Sequence, residues 1–228
     1  MNRNRLYLLG GAVLLAIVVV VVVVVVASSG GSSPDTTTTT ATRPSTTLTG
    51  VPQTGDTLGI AGAPATLSVF EDPQCPYCKQ WNDEALPAVI RDYVRPGKIK
   101  LVYRGIEIIG PNSTKGLRAI YGAAPQNKVW NMVEGLYAQQ GEENSGWITD
   151  DVIKQAAATS HAKADAIFAA MPTAAVTAKL QQAGADAQAI GLQGTPTFIL
   201  QRPLAAPQQL NAPLDGPGFE QALNAALQ

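Results

Sequence analysis

Ser68-Val69-Phe70-Glu71-Asp72-Pro73-Gln74-Cys75-Pro76-Tyr77-Cys78-Lys79 contains both cysteines of the 228-residue chain, with two residues between them. Before them, Ala65 to Phe70 is an apolar run that reads as a buried strand. After them, Lys79 to Val94 carries Leu86, Val89, Ile90, Tyr93 and Val94 at helical spacing. The cysteines therefore stand at a strand-to-helix junction. There the unpaired N–H groups of the first helical turn and the positive end of the helix dipole favour thiolate over thiol. A Cys-X-X-Cys pair so placed has a thiol pKa anywhere from about 3.5 to 7.5 instead of about 8.5. The second cysteine, one turn on, is within reach of a disulfide with the first. Pro76 suits the first helical position, where its missing N–H costs nothing.

Upstream the chain changes character twice. Residues 1–5 carry Arg3 and Arg5 and no acid; Leu6 to Ala27 is uncharged and ends in nine consecutive valines. About 22 residues at 1.5 Å each span roughly 33 Å, enough for a hydrocarbon core of about 30 Å. The stretch reads as a retained transmembrane anchor; the competing reading, a cleaved signal peptide, usually has a shorter apolar region. Positive charge ahead of it places residues 1–5 in the cytoplasm and the remainder outside, where disulfides persist. Residues 28–55 are dominated by Thr, Ser, Gly and Pro and read as a flexible, disordered linker. Residues 56–228 form the folded domain.

Downstream, Asp56 to Ile60 reads as a short edge strand and Ile99 to Tyr103 as a second central strand, giving a parallel pair joined by a crossover helix. Pro87 is expected to kink the connecting helix. Residues 112–190 read as helical throughout. Val129, Trp130, Met132, Val133, Leu136 and Tyr137 share one apolar face, Thr149 heads a helix with acids in its first turn, and Gly191 stops the last one. Asn112-Ser113-Thr114 reads as a loop and helix cap. Thr195-Pro196 then opens a strand through Leu200, Gln208 to Leu210 suggests another, and Phe219, Leu223 and Leu227 form the stripe of a closing helix.

Composition excludes several functions. Sixteen basic residues nearly balance 17 acidic ones, which advertises no surface for nucleic acid. Two cysteines and one distant histidine, His161, fall short of the four ligands of structural zinc, so no metal or cofactor is expected. His161 itself reads as a solvated surface group.

Cys-Pro-Tyr-Cys at the junction, with Gly194-Thr195-Pro196-Thr197-Phe198 about 120 residues on, resembles the thioredoxin superfamily. Within it the chain is similar to the membrane-anchored DsbA-like thiol:disulfide oxidoreductases. Phe70, Asp72 and Gln74 before the first cysteine match that pattern. So do Lys79, Leu86-Pro87, Tyr103-Arg104, Trp130 and Met132 after it.

The resemblance implies an α/β thioredoxin-like fold with a helical insertion between the second central strand and a cis-Pro strand. It also implies Cys75 as the exposed attacking sulfur and Cys78 as the resolving one. Pro76, Tyr77, Thr195 and a cis Pro196 would support them, with the Thr195 backbone open to an extended client peptide. Reduced secreted or membrane proteins would be the clients, and a quinone-linked membrane protein the re-oxidising partner. The family commonly buries an acid six residues before the first cysteine. Val69 stands there instead, which leaves Glu71 and Asp72 as candidate proton-relay acids. A reductase or isomerase working from the dithiol state, and a non-catalytic binding module with an inert disulfide, are the competing readings.

Overall fold

The computed structural model describes residues 47–228. Readings that fall on residues 1–46, the anchor among them, lie outside the described residues. Among the described residues no helix is long and apolar enough to cross a membrane.

Six strands form one sheet in the order β1-β2-β4-β3-β5-β6. They are β1 (Gln53–Thr54), β2 (Thr57–Leu58), β3 (Ala65–Glu71), β4 (Ile99–Gly105), β5 (Thr197–Gln201) and β6 (Gln208–Gln209). β3 and β4 run parallel, with Val69 opposite Tyr103 and Glu71 opposite Gly105; the other pairings are antiparallel. The parallel pair is the expected one.

The crossover between β3 and β4 is made of α1 (Pro76–Glu84), α2 (Leu86–Val89) and a π-helical turn over Ile90–Val94. The expected kink at Pro87 is instead a break at Ala85, two residues earlier. A proline ring collides with the carbonyl four residues before it and constrains the residue preceding it, so the helix ends before Pro87 and restarts with Pro87 in its first turn.

The helical insertion comprises α3 (Asn112–Gly122), α4 (Val129–Tyr137), α5 (Asp150–Thr159), α6 (Ala164–Ala170) and α7 (Ala174–Ala189); α8 (Gly216–Leu227) closes the fold. The whole apolar face of α4 is buried, as its spacing predicts. The Thr149 side chain accepts a hydrogen bond from the Val152 N–H and caps α5. Gly191, at φ 60°, ends the α7 segment with the left-handed turn its position anticipated.

Three expectations need correction. The linker reading over 28–55 runs too far, because Leu48 and Val51 are buried in the core and Gln53–Thr54 forms β1. The strand expected at Asp56 to Ile60 is one arm of a tight hairpin turned at Gly55, and β2 is flanked on both sides, so β1 is the edge. Ser113 does not cap α3; its buried hydroxyl reaches back to Asp72.

Strand alternation divides the sheet's contacts. Leu67 and Val69 face the main core with Trp81, Leu86 and Trp130, whereas Phe70 packs with Ile106 and Ala183 in a separate small cluster. On α7's side, Arg104 of β4 bonds Asp186 at 2.9 Å and Asp56 at 3.2 Å, and Lys179 reaches Asp56 at 2.8 Å. This network ties the N-terminal hairpin to β4 and the last helix of the insertion.

Candidate functional site

Cys75 is the N-cap of α1, in extended conformation (φ −72°, ψ 119°), and Pro76 fills the first helical position. Both cysteines are free thiols. The Cys75 thiol donates to the Thr195 carbonyl at 3.3 Å, and the Thr195–Pro196 peptide is cis. Two segments 120 residues apart thus meet at one sulfur.

The two sulfurs differ sharply. The Cys75 thiol is lowered to about 6. A hydrogen bond from Cys78 contributes most, and it outweighs the opposing effect of burial; a bond involving Thr195 and the backbone N–H groups of Cys78 and Tyr77 add to it. Those amides are the donors a helix start leaves unpaired. The Cys78 thiol is pushed well up, first by burial, then by its bond to Cys75 and by the nearby Glu71. The pair is therefore a ready nucleophile beside a protonated thiol. Cys75 was expected to be exposed. It is only 4% exposed, with its sulfur set against the Thr195 carbonyl. Tyr77, by contrast, stands 63% exposed between the cysteines, and Thr195 and Pro196 are half-buried.

The two candidate acids, adjacent in sequence, go to different places. Glu71 is the last residue of β3, and strand alternation sets it on the same face as Val69. A buried acid thus stands one pleat repeat nearer the cysteines than Val69. Glu71 is fully buried, accepts a 2.6 Å hydrogen bond from Asn82 Nδ2, and has its pKa raised well above the usual carboxylate range, chiefly by burial. Its electrostatic influence is felt at Cys78, Tyr103 and Tyr137.

Asp72 turns the other way. One carboxyl oxygen accepts from the Gln74 N–H (2.8 Å) and the Ser113 hydroxyl (2.6 Å), the other from the N–H groups of Ile108 and Ile109 (both 2.9 Å). Its four donors lie in the turn before Cys75, the loop after β4 and the start of α3. Gln74 extends the clasp, its amide donating to Ser113 and its carbonyl oxygen accepting from the Asn144 N–H. Gln140 donates to the carbonyls of Pro73 and Cys75, and the Tyr137 hydroxyl to that of Asp72. Beneath α1, Trp81 packs on Phe198 and Phe219, with ring centroids 5.1 and 5.7 Å away.

Asn82, Ser113 and Gln140 escaped the sequence reading. Asn82 alone left a signal, as a polar residue one turn beyond Cys78 on the helix face that carries the cysteine inward.

Comparison with known proteins agrees with this geometry. The Thioredoxin family model matches residues 52–212. A probable disulfide bond formation protein D of Bacillus cereus is 27% identical over 158 residues, covering 68% of this chain and 73% of that one. In fold, the chain is similar to oxidised BdbD of Bacillus subtilis (TM-score 0.65, 20% identity, 78% of this chain and 97% of that one). It is also similar to a thioredoxin-like oxidoreductase of Silicibacter pomeroyi (TM-score 0.61, 25% identity, 75% and 90%). The chain belongs to the thioredoxin family. Its helical insertion, sulfur pair and relatives make it a DsbA-like thiol:disulfide oxidoreductase.

Proposed function

We propose that this protein forms disulfides in secreted or membrane clients outside the cytoplasm, with Cys75 as the exchanging sulfur and Cys78 as the resolving one. A client thiolate attacks Cys75 of the oxidised pair, the Cys75–Cys78 bond breaks, and its electron pair leaves on Cys78, which takes up a proton. A second client thiolate then attacks the client sulfur of the mixed disulfide and releases Cys75 as thiolate. The client leaves with a disulfide and the protein with a dithiol.

The observation that carries the reading is the Cys75 sulfur at the N-cap of α1, set against the Thr195 carbonyl, with its thiol lowered to about 6. Stabilising the thiolate stabilises the dithiol state, so the disulfide becomes the stronger oxidant. Re-oxidation falls to a membrane protein that passes electrons to a quinone. The apolar segment 6–27 would hold the domain at the same membrane, with residues 1–5 inside and the domain from about residue 56 outside. The Thr195 backbone beside the sulfur would align an extended client, and Pro76 and Tyr77 would hold and flank the sulfur itself. Glu71 is the acid that exchanges a proton with Cys78, while Asp72 holds the active-site turn in shape.

The test is oxidation of a reduced, unfolded client by the full chain. Cys75→Ser should lower the rate by at least about 10³-fold, and Cys78→Ser, given a client that already carries a disulfide, should accumulate mixed disulfide; wild-type oxidation by Cys75→Ser overturns the reading. A reduction potential near about −120 mV fits an oxidase, and one near about −270 mV a reductase.

A further inference from the structure

Behind the sulfur pair lies a cleft of about 220 Å³ between α1, the start of α2 and the end of α4, lined by Asn82, Asp83, Glu134, Tyr137 and Ala138 among others. Neither cysteine lines it, nor does the Thr195–Pro196 loop. Asn82 forms its inner wall. The residue is 6% exposed, and its Nδ2 donates both to Glu71 Oε1 (2.6 Å) and to the Cys78 carbonyl (2.9 Å). A carbonyl only accepts, so this bond fixes which way the amide points. Three buried oxygens then have no hydrogen-bond partner among the described residues: Asn82 Oδ1, Glu71 Oε2 and the Tyr103 hydroxyl. Because Oε1 already accepts a short bond, Oε2 is the better seat for the Glu71 proton. The cleft has room for several waters at about 30 Å³ each, and its wall offers them polar partners.

We propose that Asn82 is the positioning residue through which Glu71 exchanges its proton with solvent, and that this cleft is the proton's entry on the side away from the client. The inference rests on Glu71 being the acid of Cys78. During the mixed disulfide the client covers the Cys75 side. The proton that Cys78 takes from Glu71 must then be replaced from elsewhere, and the cleft supplies it one for one, with no change in the electron count of the exchange. The other groups facing Glu71 are Cys75 and Cys78 on α1, Tyr103 on β4 and Tyr137 on α4. Burial raises both phenols, which therefore stay neutral where the sulfurs react. At the mouth, Asp83 is paired with Lys79.

The experiment follows the rate at which a dithiol peptide reduces the oxidised full-length chain, as a function of pH. The Cys75 thiolate is titrated separately by its ultraviolet absorbance. Asn82→Leu should slow the reaction at least tenfold at alkaline pH, part of the roughly 10²–10⁴-fold that a positioned acid or base supplies. It should shift the inflection of the pH profile and leave the Cys75 titration in place, and Asn82→Ser, which keeps a donor, should recover most of the rate. Ala138→Trp, at an exposed position, plugs the mouth without touching Glu71 and should slow the reaction in the same pH range. It decides the matter if Asn82→Leu does not fold. Wild-type rate and profile in Ala138→Trp overturn the entry route, whatever Asn82→Leu does. Glu71→Gln separates the two levels: a wild-type profile there removes the acid reading itself, while an altered profile beside an unaffected Ala138→Trp removes only the entry route.

Discussion

Glu71 and Asp72 are the same kind of group, one residue apart, both fully buried, and the fold uses them in opposite ways. Asp72 accepts four hydrogen bonds, three from backbone N–H groups, and so stitches three segments together just before Cys75. Glu71 accepts one bond from a side chain and keeps its other oxygen, Oε2, unmatched. Alternation along β3 produces the contrast, since neighbouring residues leave a strand on opposite sides. A buried carboxyl with all its acceptors used is a fastener. One left short of partners, with burial raising its pKa, is free to gain and lose a proton during the reaction.

Removing Asp72 should produce the largest loss of stability. Asp72→Ala leaves the Gln74, Ile108 and Ile109 amides and the Ser113 hydroxyl without their acceptor, and should cost about 3 kcal/mol in chemical denaturation. A loss below about 1 kcal/mol would mean that the two acids differ less than their surroundings imply.

Glu71→Gln should move stability the other way. The folded-state pKa of Glu71 is raised, so at neutral pH the fold either holds a proton the unfolded chain has released or buries a costly charge. Its unfavourable contribution grows as pH rises from the unfolded value of about 4.3 towards the folded one. The glutamine variant should therefore be more stable at pH 7, on the order of 1 kcal/mol, with the gain fading below pH 4. A variant less stable than wild type at neutral pH would place Glu71 among the fasteners.

Cys75 gives a pH dependence of opposite sign. Its folded pKa is depressed to about 6, so its contribution to the reduced protein is complete above the unfolded thiol value of about 8.5 and is lost as pH falls through about 6. The reduced chain should gain stability on the oxidised chain as pH rises across that window, as paired thermal melts will show, and reduced Cys75→Ser should lack that gain. The smallest effect is expected on the sheet face that Glu71 does not share: Arg104→Ala, which breaks the partly exposed link from Asp56 to Asp186, should cost about 1 kcal/mol or less.

The sulfur pair and both central strands could be read from the chain because each rests on local pattern: cysteine spacing, an apolar run and a helical repeat. The meeting of Thr195 with Cys75 came from family resemblance and not from any period, and the cis peptide at Pro196 matches it. What escaped were side chains whose role depends on tertiary neighbours. Ser113 looks like a cap from its position, yet the loop after β4 brings it to Asp72, a partner 41 residues away. Asn82 sits mid-helix, where an amide ordinarily faces water, and only the end of β3 makes it a hydrogen-bond donor to an acid. Glu71 was within reach, since counting two residues from Val69 keeps the face. Which of two adjacent acids enters the core is settled by where the strand ends.

The stack of Trp81, Phe198 and Phe219 joins the reactive helix, the strand following Pro196 and α8 through three rings. Phe219 is fully buried. The redox centre is thus wedged from below by a residue translated long after its cysteines. A ribosome that stopped short of α8 would release a polypeptide with both sulfurs and the proline loop intact, but without the keystone that sets them facing one another.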